Sequence, residues 1–150
     1  MKPMQSETTT IDPDGNKRTV FLLHDHPVVR EGLARLIELQ PDLSICGEEE
    51  DSADALAEVA GLRPDVTIID SILLNESSSS LISDLTRVAP SMKVVVLSVY
   101  DDEEEAEQAM RAGARGYVNK ATQVIAAIRR VLGGERFPGG EFADALMALP

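Results

Sequence analysis

The chain lacks most of the features that mark secreted and membrane proteins. Its 150 residues contain a single cysteine, Cys46, which excludes an internal disulfide bond and fits a reducing cytoplasm. We expect this thiol to be a small residue of the core. No apolar run approaches the roughly 20 residues needed to span a bilayer, and residues 1–18 are too polar to contain the apolar core of a signal peptide. The sequence therefore predicts a cytoplasmic protein with no membrane segment.

Positive charge is also scarce. The chain has 14 Lys and Arg residues against 26 Asp and Glu, which gives a net charge of −12 at pH 7. This balance excludes the basic surface that nucleic-acid binding requires, and it makes an anionic membrane a poor partner. Hydrophobic residues make up 43% of the chain, which at this length is enough for one soluble domain with a substantial core.

Short apolar runs alternate with helical patterns along the chain. The runs, which we predict to be strands, lie at 20–23, 43–46, 66–69, 92–97 and 117–118. Pro27 suits the first turn of the first helix, Asp51 or Ser52 can cap the second, and Gly113 is typical of a helix end. The residues expected to face the core recur at helical spacing: Val29, Leu33, Leu36 and Ile37; Leu56, Val59 and Ala60; Leu81, Ile82, Leu85 and Val88; Ala106, Ala109 and Met110; and Val124, Ile125, Ile128, Val131 and Leu132.

Strands that alternate with helices predict an α/β fold. The connections are right-handed and place helices on both faces of a parallel sheet. For a chain of this size we expect a doubly wound, flavodoxin-like domain with five parallel strands in the order 2-1-3-4-5 and five helices. We assign residues 1–18 to a flexible N-terminal arm, 19–137 to this domain, and 138–150, which begin Pro-Gly-Gly, to a linker or C-terminal tail.

Four polar residues follow or end predicted strands: Asp25, Asp70, Ser98 and Lys120. The carboxyl ends of parallel strands lie along one edge of a sheet, so we expect these side chains to converge there. The strand order places the switch point, where ligands bind in such sheets, between the first and third strands. Asp25 and Asp70 end these two strands, so the topology predicts a site at this edge.

Two neighbouring carboxylates repel each other, and a divalent cation relieves that repulsion. Mg²⁺ prefers oxygen ligands and needs only one or two carboxylates, because it keeps several waters. A carboxylate in such a site can attack a phosphoryl group and form an aspartyl phosphate. Lys120 and Ser98 could then supply an ammonium and a hydroxyl to the phosphoryl oxygens.

Four segments carry a resemblance to a known family. They are HDHPVVREGL at 24–33, RPDVTIID at 63–70, VVVLS at 94–98 and RAGARGYVNK at 111–120. In this order and spacing they resemble the receiver domain of two-component response regulators, over residues 18–137, and most of all the receivers of the LuxR-type helix-turn-helix class. The resemblance implies that Asp70 is the phosphoacceptor, Asp25 a metal ligand, Ser98 the switch hydroxyl, Lys120 the phosphate-contacting lysine and Tyr117 the switch aromatic residue.

Two positions depart from the family pattern. His24 stands where the family usually has a first acid, and imidazole is a poor ligand for Mg²⁺, so we expect Mg²⁺ to bind weakly; a softer divalent ion is the alternative. In the loop over residues 71–80, Leu74 takes the place of a usual proline. The resemblance implies that the main-chain carbonyl of Ile72 completes the metal site. Because the Ile72 side chain cannot position a water, an aspartyl phosphate should hydrolyse slowly.

The resemblance implies a signalling function. A histidine kinase would phosphorylate Asp70. Phosphorylation would then switch the protein-interaction surface formed by the fourth helix, fifth strand and fifth helix, and in this class that switch controls transcription. A homodimer is one such partner, and DNA would be reached only through a separate effector domain. The alternative is an atypical receiver that acts as a dimerisation or docking domain without phosphorylation. We do not expect an enzyme, because Ile72 occupies the position where aspartyl phosphohydrolases carry their general acid.

Overall fold

The computed structural model describes residues 15–71, 81–98 and 103–138. Strands and helices alternate through this part of the chain. The strands are β1 (Arg18–Leu23), β2 (Leu43–Glu49), β3 (Val66–Asp70), β4 (Lys93–Leu97), β5 (Gly116–Val118) and β6 (Phe137–Pro138). The helices are α1 (Pro27–Glu38), α2 (Ser52–Leu62), α3 (Leu81–Val88), α4 (Glu103–Ala112) and α5 (Val124–Leu132), the last preceded by a 3₁₀ turn, Ala121–Gln123.

The sheet is parallel throughout, and its order is β2-β1-β3-β4-β5-β6. The predicted five strands and their order are confirmed. In addition, β6 forms a two-residue strand at the edge beside β5, where the Phe137 backbone N–H donates to the Arg115 carbonyl at 2.9 Å. So short a strand carries no alternation of apolar residues that a sequence pattern could reveal.

The helix starts follow from local capping. Pro27 occupies the first turn of α1, and His26 caps this helix by accepting a hydrogen bond from Val29 N. Of the two candidate caps for α2, the structure uses Asp51, whose Oδ1 accepts from Asp54 N at 3.0 Å. Strand β2 runs three residues further than predicted, to Glu49.

The core lies in two layers, one on each face of the sheet. Along β1 the side chains alternate between them: Val20 and Leu22 pack with α1 and α5, whereas Phe21 and Leu23 pack with α2, α3 and α4. This is the doubly wound arrangement that the sequence predicts. The predicted apolar faces of the helices are mostly buried, but Ala60 is exposed and Ala55 takes its place in the core.

Within the described residues, no helix combines the length and the apolar character needed to cross a bilayer. Three sequence-based expectations lie outside the described residues in whole or in part. They concern the arm up to residue 14, the segment 72–80 with Ile72 and Leu74, and the tail from residue 139.

Candidate functional site

The register of the sheet brings the ends of β1, β3 and β4 to one edge. Leu23 pairs with Ile69 and Asp70 pairs with Leu97, so His24 lies at the level of Asp70 in the sheet and Ser98 lies one residue beyond it. All three of these polar residues are buried, although polar side chains are costly to bury. Buried polar groups at the carboxyl edge of a doubly wound sheet mark the place where such folds bind ligands.

A cluster of three titratable side chains forms the centre of this edge. His24, Asp25 and Asp70 each offer one possible ligand atom, and these atoms all lie within 4.8 Å of one another. Asp25 is exposed, whereas Asp70 retains only 5% of its accessible surface. The cluster therefore combines a solvent-facing carboxylate with a nearly dehydrated one, which could hold a cation between them.

His24 contacts both its own backbone and Asp70. Its Nδ1 accepts a hydrogen bond from the His26 backbone N–H at 3.1 Å, and its Nε2 lies 3.5 Å from Oδ2 of Asp70. Burial lowers the pKa of His24 below its usual value, and the charges of Asp70 and Asp25 oppose that effect only in part. The lowered pKa favours the neutral form of the imidazole, whose Nε2 faces the Asp70 side chain.

Arg30 supports the same segment from helix α1. Its Nη1 donates to the His24 carbonyl at 2.7 Å, and its guanidinium lies 3.4 Å from Glu48 and 3.5 Å from Glu50 at the end of β2. Arg30 therefore links the end of β1 to the end of β2. Sequence reasoning did not assign it a role, although it lies within the 24–33 segment.

A cavity of about 500 Å³ opens over the cluster. Its described lining consists of His24, Asp25, His26, Pro27, Val29, Asp70, Leu97, Asn119 and Ala121. Asp25 and Asp70 are thus brought together in one cavity. Among the described residues, Ser98 and Lys120 are not part of this lining, although Leu97, Asn119 and Ala121 beside them are. Ser98 is buried and its backbone N–H donates to the Val118 carbonyl at 2.8 Å, whereas Lys120 is exposed.

Tyr117 lies inside the domain. Only 1% of its surface is exposed, and its hydroxyl donates to Oε1 of Glu105 on α4 at 2.6 Å. Sequence reasoning missed Glu105, which belongs to an acidic run typical of a solvated helix start. Its one distinguishing signal is its position one residue before the core residue Ala106.

Of the three side chains in the cluster, only the two carboxylates are suitable ligands for a hard cation. Asp25 and Asp70 supply oxygen atoms of the kind that Mg²⁺ prefers. His24 does not fit as a ligand, because its Nδ1 already accepts a backbone hydrogen bond and its Nε2 faces Asp70. The carbonyl of Ile72 lies outside the described residues. The cluster could therefore hold a metal through two carboxylates.

Comparison with known proteins shows the family of this fold. A family model described as the response regulator receiver domain matches residues 20–131. The chain belongs to this family. The match takes in β1 from its third residue, all of β2 to β5, and the five helices as far as Val131 in α5. The receiver domain therefore accounts for the doubly wound sheet.

Curated relatives that the chain matches are regulators of transcription. The chain is 36% identical over 132 residues to the DNA-binding transcriptional activator DevR/DosR of Mycobacterium tuberculosis, a match that covers 86% of this chain and 61% of the relative. It is 39% identical over 133 residues to the transcriptional regulatory protein UhpA of Salmonella typhimurium, with 87% and 66% covered. The chain thus spans less than two thirds of the length of these relatives.

Solved structures show the same fold. A LuxR-family two-component response regulator from Aurantimonas superposes with a TM-score of 0.79 at 25% identity, covering 88% of this chain and 96% of that one. The receiver domain of a NarL regulator from M. tuberculosis superposes with a TM-score of 0.69 at 25% identity, with 80% and 99% covered. The receiver is therefore that of a LuxR-class two-component response regulator.

Proposed function

We propose that this receiver is phosphorylated on Asp70 by a histidine kinase and that the phosphorylated form presents a changed interaction surface that controls transcription. The observation that carries the proposal is the close approach of Asp25 and Asp70 in one cavity at the switch point of the sheet. The proposal includes a cytoplasmic location, a separate DNA-binding effector domain, and the division of the chain into arm, receiver over 19–137 and tail.

The proposed reaction is the transfer of a phosphoryl group to Asp70. A carboxylate oxygen of Asp70 bonds to phosphorus while the bond from phosphorus to the kinase histidine breaks, and the histidine nitrogen keeps the electron pair. Mg²⁺ held by Asp25, Asp70 and the Ile72 carbonyl would supply positive charge to the phosphoryl oxygens. Asp70 is buried but lines the cavity together with the exposed Asp25, so a phosphoryl donor could reach the nucleophile through this cavity.

Ser98 and Lys120 are proposed to hold the phosphoryl group once it is attached. Ser98 follows β4 immediately beyond the Asp70–Leu97 pair, and Lys120 lies two residues after β5 with an exposed side chain. A movement of each side chain toward Asp70 would couple phosphorylation to β4 and β5. A change in the position of Tyr117 on β5 would then alter the surface formed by α4, β5 and α5.

A direct test compares wild type with two carboxylate variants. Each protein is incubated with acetyl phosphate and Mg²⁺ and its intact mass is measured; the same proteins are titrated with beryllofluoride and followed by NMR. We expect one phosphoryl group on wild type and on the control Asp54→Asn, whose side chain is exposed on α2, and none on Asp70→Asn. Equal labelling of Asp70→Asn, or no labelling of wild type, would overturn the proposal.

Two observations favour a second candidate function, a receiver that works without phosphorylation. His24 already lies against Asp70, and Tyr117 is already buried against Glu105. A domain whose switch aromatic residue points inward before any phosphorylation could act as a constitutive dimerisation or docking module. The beryllofluoride titration separates the two functions, because this module would show no response even at high Mg²⁺.

A further inference from the structure

Both nitrogen atoms of the His24 imidazole contact a polar partner. One side meets the backbone N–H of His26, 3.1 Å from Nδ1, and the other meets Oδ2 of Asp70, 3.5 Å from Nε2. The backbone of His24 is also anchored, because its carbonyl accepts a hydrogen bond from Arg30. These contacts disfavour reorientation of the ring.

These contacts determine which nitrogen carries the proton. A neutral imidazole has one N–H and one lone pair, and the hydrogen bond made by one nitrogen sets the state of the other. Nδ1 accepts from a backbone amide, which can only donate, so the Nδ1 lone pair is occupied. The proton therefore lies on Nε2 and points toward the Asp70 carboxylate.

In this tautomer His24 has no free lone pair with which to bind a cation. Metal ions bind imidazole through a free lone pair, and here one nitrogen is protonated while the other is hydrogen-bonded. The Nε2–H also approaches one oxygen of the carboxylate that a metal would use. An acid at position 24 would do the opposite, because it would add oxygen donors and negative charge.

We propose that His24 is a positioning residue that directs its Nε2–H toward the Asp70 carboxylate and competes with cation binding at Asp25 and Asp70. The inference rests on the proposed function in that it concerns the same phosphoacceptor. In this proposal His24 acts as a donor through Nε2–H, so it cannot serve as a ligand for a softer divalent ion. It also explains how Asp25 and Asp70 lie close together, since the N–H offsets part of their repulsion.

The tautomer is tested on wild-type protein by long-range ¹H–¹⁵N NMR of the histidine side chains without metal. We expect a protonated Nε2 and an unprotonated Nδ1 for His24. The His26→Asn variant identifies the His24 signals by removing the other histidine while keeping the backbone N–H and a residue suited to cap α1. A protonated Nδ1 in metal-free protein would overturn the assignment.

The competition is tested by calorimetric titration of Mg²⁺ and of Mn²⁺ into wild type, His24→Ala, His24→Asp and the control Asp54→Asn, whose side chain is exposed on α2. His24→Ala should bind both ions more tightly than wild type, because the competing donor is lost and the two acids repel more strongly. His24→Asp should bind Mg²⁺ at least about tenfold more tightly, the size of effect that groups around a metal site commonly have. Asp54→Asn should match wild type. Weaker binding by His24→Ala would show that His24 is a ligand and would overturn the proposal.

Phosphorylation is read separately in the same samples with acetyl phosphate. If wild type and His24→Asp both remain unlabelled while the tautomer and the order of Mg²⁺ affinities are as expected, the proposed phosphorylation fails and the role of His24 stands. If wild type is labelled but His24→Ala binds Mg²⁺ less tightly, the phosphorylation stands and the role of His24 fails.

Discussion

The hydroxyl of Tyr117 donates a 2.6 Å hydrogen bond to Oε1 of Glu105, which joins β5 to the first turn of α4. The tyrosine ring is buried, and a buried phenol needs a partner for its O–H. Because Glu105 is only partly exposed, the bond is shielded from water on one side. It gives helix α4 a specific polar contact with β5 in addition to its apolar packing.

Removing this hydroxyl should destabilise the domain. Tyr117→Phe keeps the ring in place but leaves the Glu105 carboxylate without this donor, so we expect the free energy of unfolding to fall by about 1 to 2 kcal/mol. Urea denaturation followed by circular dichroism measures the change. Glu104→Gln, at an exposed neighbouring position on α4, is the control and should be close to wild type. Equal stabilities of Tyr117→Phe and wild type would mean that the bond is not formed in solution.

Arg129 and Arg130 are neighbours on α5 whose removal should have unequal effects. Arg129 bonds through Nη2 and Nε to the two oxygens of Asp42 at 2.8 and 3.3 Å, and the Asp42 side chain is only 1% exposed. Arg129→Ala should lower the free energy of unfolding by about 2 kcal/mol or more, because it removes the cation from a buried carboxylate.

Arg130 provides the matched control for that substitution. The side chain of its partner Glu135 is 65% exposed, and the pair lies 2.7 Å apart at the surface. Arg130→Ala should therefore lower the free energy of unfolding by less than about 1 kcal/mol. Thermal and urea unfolding of the two variants, made in parallel, measure the difference. A larger effect at Arg130 would contradict the ranking by burial.

Gly47 should not tolerate a methyl group. A Cβ at this position would lie 2.8 Å from Cε1 of Phe21 and 3.1 Å from Cδ1 of Leu62, and the Phe21 ring is fully buried. The register of β1 and β2 also shifts here, since Val20 pairs with Ile45 but Phe21 pairs with Gly47. We expect Gly47→Ala to lower the free energy of unfolding by about 1 to 3 kcal/mol through overpacking.

Gly32→Ala is the control for this substitution, because a Cβ added to Gly32 in α1 would meet no atom within 4 Å outside its own helix backbone and its chain neighbours. Replacing a glycine inside a helix by alanine should raise the free energy of unfolding by up to about 1 kcal/mol. Chemical denaturation of the two variants should thus give changes of opposite sign. Stabilisation by Gly47→Ala would show that Phe21 can move aside.

Much of the fold could be predicted because its causes are local. The apolar runs around Phe21, Ile68 and Val95 are strand-like on their own, and the alternation with helices leaves few topologies. Capping groups such as Asp51 act within three residues along the chain. One pair of partners that was missed is distant in sequence: Tyr117 and Glu105 are 12 residues apart, and no pattern in either segment points to the other.

The sequence by itself determined the doubly wound sheet, its first five strands in order, and the meeting of Asp25 and Asp70 at one edge. These follow from hydrophobic periodicity and from the geometry of parallel strands. Only the tertiary structure decided how His24 faces Asp70, where Arg30 anchors the end of β1, and that Tyr117 lies inward. Those features depend on which side chains and backbone groups meet across helices and strands, and packing alone sets such contacts.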